Sequence, residues 1–300
     1  MIRASIDIGS NSVLLLACEF SNKIEKELLN FSHITSLGKD LDKTGIFCKE
    51  SMDATYLALK DYKDKLDTIG FNIQETIVTA TEAARVAKNS HDFFHKIKNE
   101  LGFNIQIISG EQEAYYTALG VASGISSNLK SCTVMDIGGA STEFIKLNLD
   151  PFSVLNSISF PVGSVRATDW KREGIFEQKM QDILLTSTEQ YDCDVLVCVA
   201  GSMTSLASMF LGKKVFNDKE IDGMQIDFLE FKKFSAELQK TNIEELLLNF
   251  PFLGKRAPMV AGGAKVAELL GSKLKIKKMQ ISTRGLRYGV LVAGGIHVRK

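Results

Sequence analysis

Short runs of apolar and β-branched residues at 6–8 and 133–137 each break into a polar, glycine-bearing turn, and each resumes as a second apolar run at 13–20 and 144–149. Paired runs around a turn predict a β-hairpin at both places. After the first hairpin the spacing becomes helical: Met52, Tyr56, Leu59, Tyr62, Leu66 and Ile69 step by three and four residues, which predicts a helix capped by Ser51 and stopped by Gly70. A buried strand is predicted at 73–78, a short helix led by Thr79 or Thr81, a helix from Ser90 to Gly102, a strand at 105–108, and a helix at 111–121 opened by Ser109-Gly110. The second half repeats the plan, with a helix at 176–191, a strand at 195–199 entering Ala200-Gly201, and a helical segment at 228–248. Residues 259–261 read as a further strand entering a helix through Gly262-Gly263, and the apolar stretch 285–295 as a helix that packs back on the first half. Alternating strands and helices place the chain in the α/β class. The expected domains are 1–125 and 126–285, linked through Gly124 and the polar Ser126-Ser127-Asn128, with 286–300 carrying the returning helix.

Composition narrows the setting. The 300 residues are 45% hydrophobic and 24% charged with zero formal net charge, enough chain for two compact cores. No apolar run reaches the length of a membrane span and no signal peptide is evident, so a cytoplasmic protein with no membrane partner is expected. The five cysteines (Cys18, Cys48, Cys132, Cys193, Cys198) form no Cys-x-x-Cys pair and read as structural thiols. His91 and His95 are the single helical histidine pair, without the carboxylate that would complete a zinc-protease pattern. From residue 251 onward eleven Lys and Arg face a single acid, Glu268. That asymmetry suggests a polyanion-facing surface or the dressing of exposed helices. It lacks the interleaved aromatics that nucleic-acid binding would favour.

The two hairpin turns share one phrase, Asp7-Ile8-Gly9-Ser10-Asn11-Ser12 and Asp136-Ile137-Gly138-Gly139-Ala140-Ser141-Thr142. In dinucleotide and Walker-type sites the glycine loop opens a helix, whereas here a strand follows, which excludes both. The remaining phosphate-binding device is a nest of backbone N–H groups, supplemented by the hydroxyl and amide side chains of the turn. Asp7 and Asp136 would repel an anion unless a hard divalent cation, Mg²⁺ by preference, lay between them and the phosphate oxygens. One such turn alone would be equally consistent with a structural hairpin. Two copies heading two halves favour an anion site.

Further phrases extend this pattern: Ala80-Thr81-Glu82-Ala83-Ala84-Arg85, Ile107-Ile108-Ser109-Gly110-Glu111-Gln112-Glu113-Ala114, Glu143 after the second turn, and Gly285-Leu286-Arg287-Tyr288-Gly289. In this order they resemble the exopolyphosphatase and guanosine pentaphosphate phosphohydrolase (Ppx/GppA) family, within the actin, hexokinase and chaperone-ATPase superfamily. The resemblance implies two duplicated ribonuclease-H-like domains with an interdomain cleft. It also implies that Glu113 positions or deprotonates the attacking water, that Asp136 and Glu143 hold Mg²⁺ or its waters with help from Asp7, and that Arg85 binds phosphate. Gly9, Ser10, Asn11 and Ser12, with Gly138, Gly139, Ala140, Ser141 and Thr142, would cradle phosphate. A plain helix-stabilising role for Glu113 and a surface salt bridge for Arg85 are the competing readings.

Three positions depart from the family pattern. Ala140 stands for a third glycine, Tyr115 for a common arginine, and Pro258 for an aspartate in Arg256-Ala257-Pro258. The chain also stops where longer relatives add a helical domain, so a short form with less surface for extended polyphosphate is expected. The first functional reading is release of terminal phosphate from polyphosphate or guanosine pentaphosphate, the latter a stringent-response nucleotide. A low-turnover regulator that binds polyphosphate or alarmone is the second, and a superfamily ATPase or kinase the third. The sequence does not fix the oligomeric state, a homodimer included.

Overall fold

The structure, a computed structural model, describes residues 1–125 and 129–296. The predicted link at Ser126, Ser127 and Asn128 lies outside the described residues. The chain divides into two compact units, Met1–Ser123 with Leu286–Lys300, and Gly124–Gly285. The first unit contains β1 (Ile2–Ile8), β2 (Ser12–Phe20), β3 (Ile24–Ile34), α1 (Leu41–Thr44), α2 (Lys49–Thr68), β4 (Ile77–Ala80), α3 (Glu82–Val86), α4 (Ser90–Leu101), β5 (Ile105–Ile107) and α5 (Gly110–Ala122). Its sheet runs β3-β2-β1-β4-β5, antiparallel across β1, β2 and β3 and parallel across β1, β4 and β5.

The second unit contains β6 (Ser131–Ile137), β7 (Thr142–Leu149), β8 (Phe152–Phe160), α6 (Ser164–Arg172), α7 (Phe176–Leu185), β9 (Val195–Val199), α8 (Ala200–Phe210), α9 (Asp218–Ile221), β10 (Gln225–Asp227), α10 (Phe228–Leu238), α11 (Ile243–Asn249), α12 (Ala257–Lys273) and β11 (Lys278–Ile281). Its order β8-β7-β6-β9-β11 repeats that of the first unit, strand for strand and sense for sense, with β10 added as an antiparallel edge. Both sheets therefore have ribonuclease-H-like topology, and the α/β fold is a duplication.

The strands beside the turns are buried on both faces, as sheets covered by helices require. In β2, Leu15 and Ala17 join the core beneath α2, with Ile6, Ile8, Tyr62 and Leu66. Leu16 and Cys18 face the other way, against Tyr288 and Leu291. Those two belong to α13 (Leu286–Ala293), which closes that face of the first unit. Each large buried side chain contributes about 1.5–3 kcal/mol of transfer free energy. The approach of α13 to α5 is a backbone contact: a Cβ on Gly289 would lie 1.7 Å from the Tyr116 carbonyl oxygen.

Several expected elements differ. The third strand of each sheet, β3 and β8, escapes the hydrophobic pattern because each is an edge strand with mostly exposed or half-buried side chains. Residues Ile73–Glu75 form a 3₁₀ turn, and the strand begins only at Ile77. Ser51 lies inside α2 and donates to Ser36 O at 2.7 Å instead of capping the helix. The 176–191 helix ends at Leu185, and the 228–248 helix is two, with Asn242 capping the second. Gly262 and Gly263 sit within α12 and follow no strand. They let α12 meet α6, since a Cβ on Gly262 would lie 2.5 Å from Thr168 Oγ1.

Candidate active site

Both turns are closed by the same hydrogen bond. Gly9 N–H donates to Ser12 O, and Gly138 N–H to Ser141 O, each at 3.0 Å. A Cβ at either glycine would lie 3.3 Å from that same carbonyl oxygen, so glycine is used for close approach. Neither these glycines nor Ala140 has a left-handed φ, and alanine fits the third position without strain.

Carbonyl direction shows where the donors point. Ser10 O accepts from Gly38 N–H at 2.7 Å, and Asn11 O from the N–H groups of Thr35 and Ser36 at 3.0 Å each. In the second unit Gly138 O accepts from Ser164 N–H at 2.9 Å, and Gly139 O from Val165 N–H at 2.9 Å and Arg166 N–H at 3.2 Å. Arg166 Nη1 adds a bond to Ala140 O at 2.7 Å. Because C=O and N–H of one trans peptide point in opposite directions, drawing these carbonyls to one side aims the amides of Asn11, Gly139 and Ala140 to the other. Those amides donate to no partner among the described residues. The second turn thus presents two successive amides, backed by α6, and the first presents the Asn11 amide, backed by the 35–38 segment.

Beside the first turn, Thr81 N–H donates to Ile8 O at 3.2 Å, so α3 starts where β1 ends. From α3, Arg85 Nη1 donates to Glu113 Oε2 at 3.0 Å and to Ile108 O at 2.7 Å. Nε and Nη2 donate to Glu82 Oε2 at 3.3 and 2.9 Å. Four of the five guanidinium N–H groups are engaged in this way. Burial works against the Arg85 charge, but the carboxylates of Glu113 and Glu82 raise its pKa above the ordinary value. The start of α5 is capped by others: Ser109 Oγ accepts from Gln112 N–H at 3.2 Å, while Gln112 Oε1 accepts from Ser109 N–H at 3.0 Å. Glu113, its side chain 15% exposed, lies with Glu111 in the first turn of α5 and pairs with Arg85.

The carboxylates divide unequally. In the second unit Asp136 on β6 pairs directly with Glu143 on β7, while at the same place in the first unit Asp7 pairs with Leu14. Directly opposed residues share one sheet face with Cβ atoms about 4.5–5.5 Å apart, and like charges there repel. Among the described residues no group of three or more His, Cys, Asp and Glu converges. Two opposed carboxylates without nitrogen or sulfur donors fit Mg²⁺, which keeps several waters and shares phosphate oxygens, and do not make a zinc centre.

Residues 26–294 match the Ppx/GppA phosphatase family. The chain belongs to that family. It is 25% identical over 317 residues to Exopolyphosphatase 2 of Mycobacterium tuberculosis, covering 97% of both chains. It is 29% identical over 290 residues to a bifunctional 3-dehydroquinate synthase/phosphatase of Fusobacterium nucleatum, covering 87% of this chain but 42% of that protein. To guanosine-5'-triphosphate,3'-diphosphate pyrophosphatase of Vibrio cholerae it is 26% identical over 299 residues, covering 96% of this chain and 58% of that one. The chain thus spans less than two thirds of the latter two. A crystal structure of the Aquifex aeolicus Ppx/GppA family member superposes with a TM-score of 0.78 at 28% identity, covering 98% and 97% of the two chains.

Within this Ppx/GppA chain some expected residues stand apart from the turns' donor faces. Thr142 is fully buried and its hydroxyl donates to Val162 O at 2.6 Å, so this side chain anchors β7 and offers phosphate nothing. Tyr115 packs with Ile108, Leu286 and Val290, and Pro258 occupies the first turn of α12, where proline costs no hydrogen bond. Much of the basic C-terminal excess is committed internally: Arg287 Nη1 donates to Leu15 O, Lys273 Nζ to Leu184 O, and Lys265 pairs with Glu268. Arg256 lies over Gly201, where a Cβ would sit 2.9 Å from its Nη2. The 35–38 segment was missed because its part is played by backbone groups, which leave no residue-type signature; Arg166 was missed although its guanidinium takes part beside its amide. Gly163 carried a legible signal, a glycine before a helix; a Cβ there would lie 2.5 Å from the Gly139 carbonyl carbon.

Proposed function

We propose that the chain releases terminal phosphate from inorganic polyphosphate, with guanosine pentaphosphate as a second substrate of the same chemistry. The observation that carries this reading is the pair Arg85–Glu113: a carboxylate held by a guanidinium at 3.0 Å, in the unit that carries the first glycine turn. Water attacks the terminal phosphorus, the bridging P–O bond breaks, and Glu113 takes the proton from the water; the products are orthophosphate and a chain one phosphate shorter. The donors proposed for phosphoryl oxygens are, in the first unit, the Asn11 amide and the one Arg85 N–H outside its four bonds, and, in the second unit, the amides of Gly139 and Ala140. Asp136 and Glu143 would bind Mg²⁺, which supplies neutralisation of charge on the transferred group.

Polyphosphate is favoured because the relative named an exopolyphosphatase is matched over 97% of its length, whereas the guanosine-nucleotide pyrophosphatase is matched over 58%. The test is orthophosphate release from polyphosphate, guanosine pentaphosphate and ATP with Mg²⁺, in wild type and Glu113→Gln. Rapid release from polyphosphate, abolished in the variant, supports the proposal. Equal slow rates in both would leave a binding protein, and turnover of ATP alone would make the chain an ATPase.

A further inference from the structure

We propose that Ser159 is a positioning residue for Glu143, fixing the carboxylate that faces Asp136 so that the pair takes up one Mg²⁺; this rests on the hydrolase reading above. Asp136, Glu143 and Ser159 form one row across β6, β7 and β8, each directly opposite the next. Ser159 Oγ donates to Glu143 Oε1 at 2.7 Å. Glu143 is 7% exposed, whereas Ser159 stands on the exposed edge strand.

The terminal torsion of a glutamate is broad, so a carboxylate with no anchor spreads over many orientations. The short bond to Oε1 restrains the plane of the group and with it the direction of Oε2. A metal-binding carboxylate needs this service, because partners one shell out orient the ligand, and losing one typically costs 10- to 100-fold in metal affinity or activity. The hydroxyl also offsets the cost of burying the carboxylate beside a second negative charge. The first unit supplies a matched position. Ser32 on β3 occupies the same row, with Leu14 between it and Asp7.

The experiment is a titration of Mn²⁺ as a paramagnetic probe, followed by electron paramagnetic resonance, on wild type, Ser159→Ala, Ser159→Thr and Ser32→Ala, together with the Mg²⁺ dependence of phosphate release. Ser159→Ala is expected to weaken Mn²⁺ binding about ten-fold and to raise the half-saturating Mg²⁺ by a similar factor, with little change in kcat at saturating Mg²⁺. Ser159→Thr, which keeps the hydroxyl, restores both, and Ser32→Ala changes neither. Unaltered Mn²⁺ affinity in Ser159→Ala, or no rescue by threonine, overturns the inference while wild-type hydrolysis still stands. A purely structural serine would lower the urea midpoint and leave Mn²⁺ affinity alone. Wild type that neither binds Mn²⁺ nor releases phosphate overturns the hydrolase reading, and this inference with it.

Discussion

Arg85 Nη1 and Glu113 Oε2 lie 3.0 Å apart across 28 positions of sequence, and the same guanidinium is tied to Glu82 and to Ile108 O. In the proposed reaction such an arginine would hold Glu113 more than it holds substrate. Glu113→Gln preserves the shape and removes the base, and is expected to lower kcat by about 10²–10⁴-fold with little change in KM. Arg85→Lys keeps the charge but has no planar fork with which to bridge three partners. It is expected to lower kcat by on the order of 10²-fold through misplacement of Glu113. A double-mutant cycle with Arg85→Gln and Glu113→Gln, read by urea unfolding, should give a coupling of about 0.5–3 kcal/mol. Additive effects would show that the pair is not coupled.

The opposed carboxylates Asp136 and Glu143 make a prediction whose sign depends on the solution. Without divalent cations they repel across the strand pair, so Glu143→Gln should be more stable than wild type in EDTA, by about 0.2–1 kcal/mol. With Mg²⁺ the order should reverse, because binding to the folded state stabilises wild type by mass action and the variant has lost a ligand. Thermal unfolding of both proteins in EDTA and in Mg²⁺ provides the four values. A Tm for wild type that ignores Mg²⁺ would count against a cation at this pair.

Legibility in the sequence followed the chemistry of side chains. The two turns, the strands that flank them, and the helices carrying Arg85 and Glu113 were readable because burial and glycine leave a pattern in the amino acids. β3 and β8 were not, since edge strands with exposed faces need no alternation. Gly262 and Gly263 misled for a related reason: a glycine spent on helix-to-helix contact looks in sequence like a glycine spent on a turn. Thr142 shows the limit for single residues, because a hydroxyl beside a phosphate turn can equally donate to a carbonyl behind it. The asymmetry of the two copies was readable in principle, as Leu14 and Glu143 occupy the same place after each turn, but it became meaningful only once the strand register set each against an aspartate.

Ala200 begins α8 with φ +74°, a left-handed conformation that costs a β-carbon-bearing residue about 1–2 kcal/mol. Ala200→Gly removes that strain but gives the unfolded chain more freedom to lose, which returns about 0.4–1 kcal/mol. The net expectation is a gain of about 0–1.6 kcal/mol, visible as a higher urea midpoint at unchanged slope. A lower midpoint would mean that the methyl group contributes more in packing than the backbone loses in strain.

The shifted thiols contribute to a loss of stability at alkaline pH. Burial pushes Cys132 up to about 12 from an ordinary value of 9.0, and raises Cys193 and Cys198 as well. Above pH 9 an unfolded chain has released these protons while the folded one keeps them. The unfolded state therefore binds fewer protons, and stability falls as pH rises toward the folded value. Below pH 9 both states are protonated and the contribution is fully present. Each fully shifted thiol can remove at most about 1.4 kcal/mol per pH unit in that window. Replacing Cys132 with a non-titrating residue of similar size, Cys132→Val, should flatten the loss between pH 9 and 10.5. The measurement is the unfolding free energy in urea at several pH values, with the difference between variant and wild type widening in favour of the variant as pH rises. A constant difference across that range would show that the Cys132 proton is released equally readily from the folded chain.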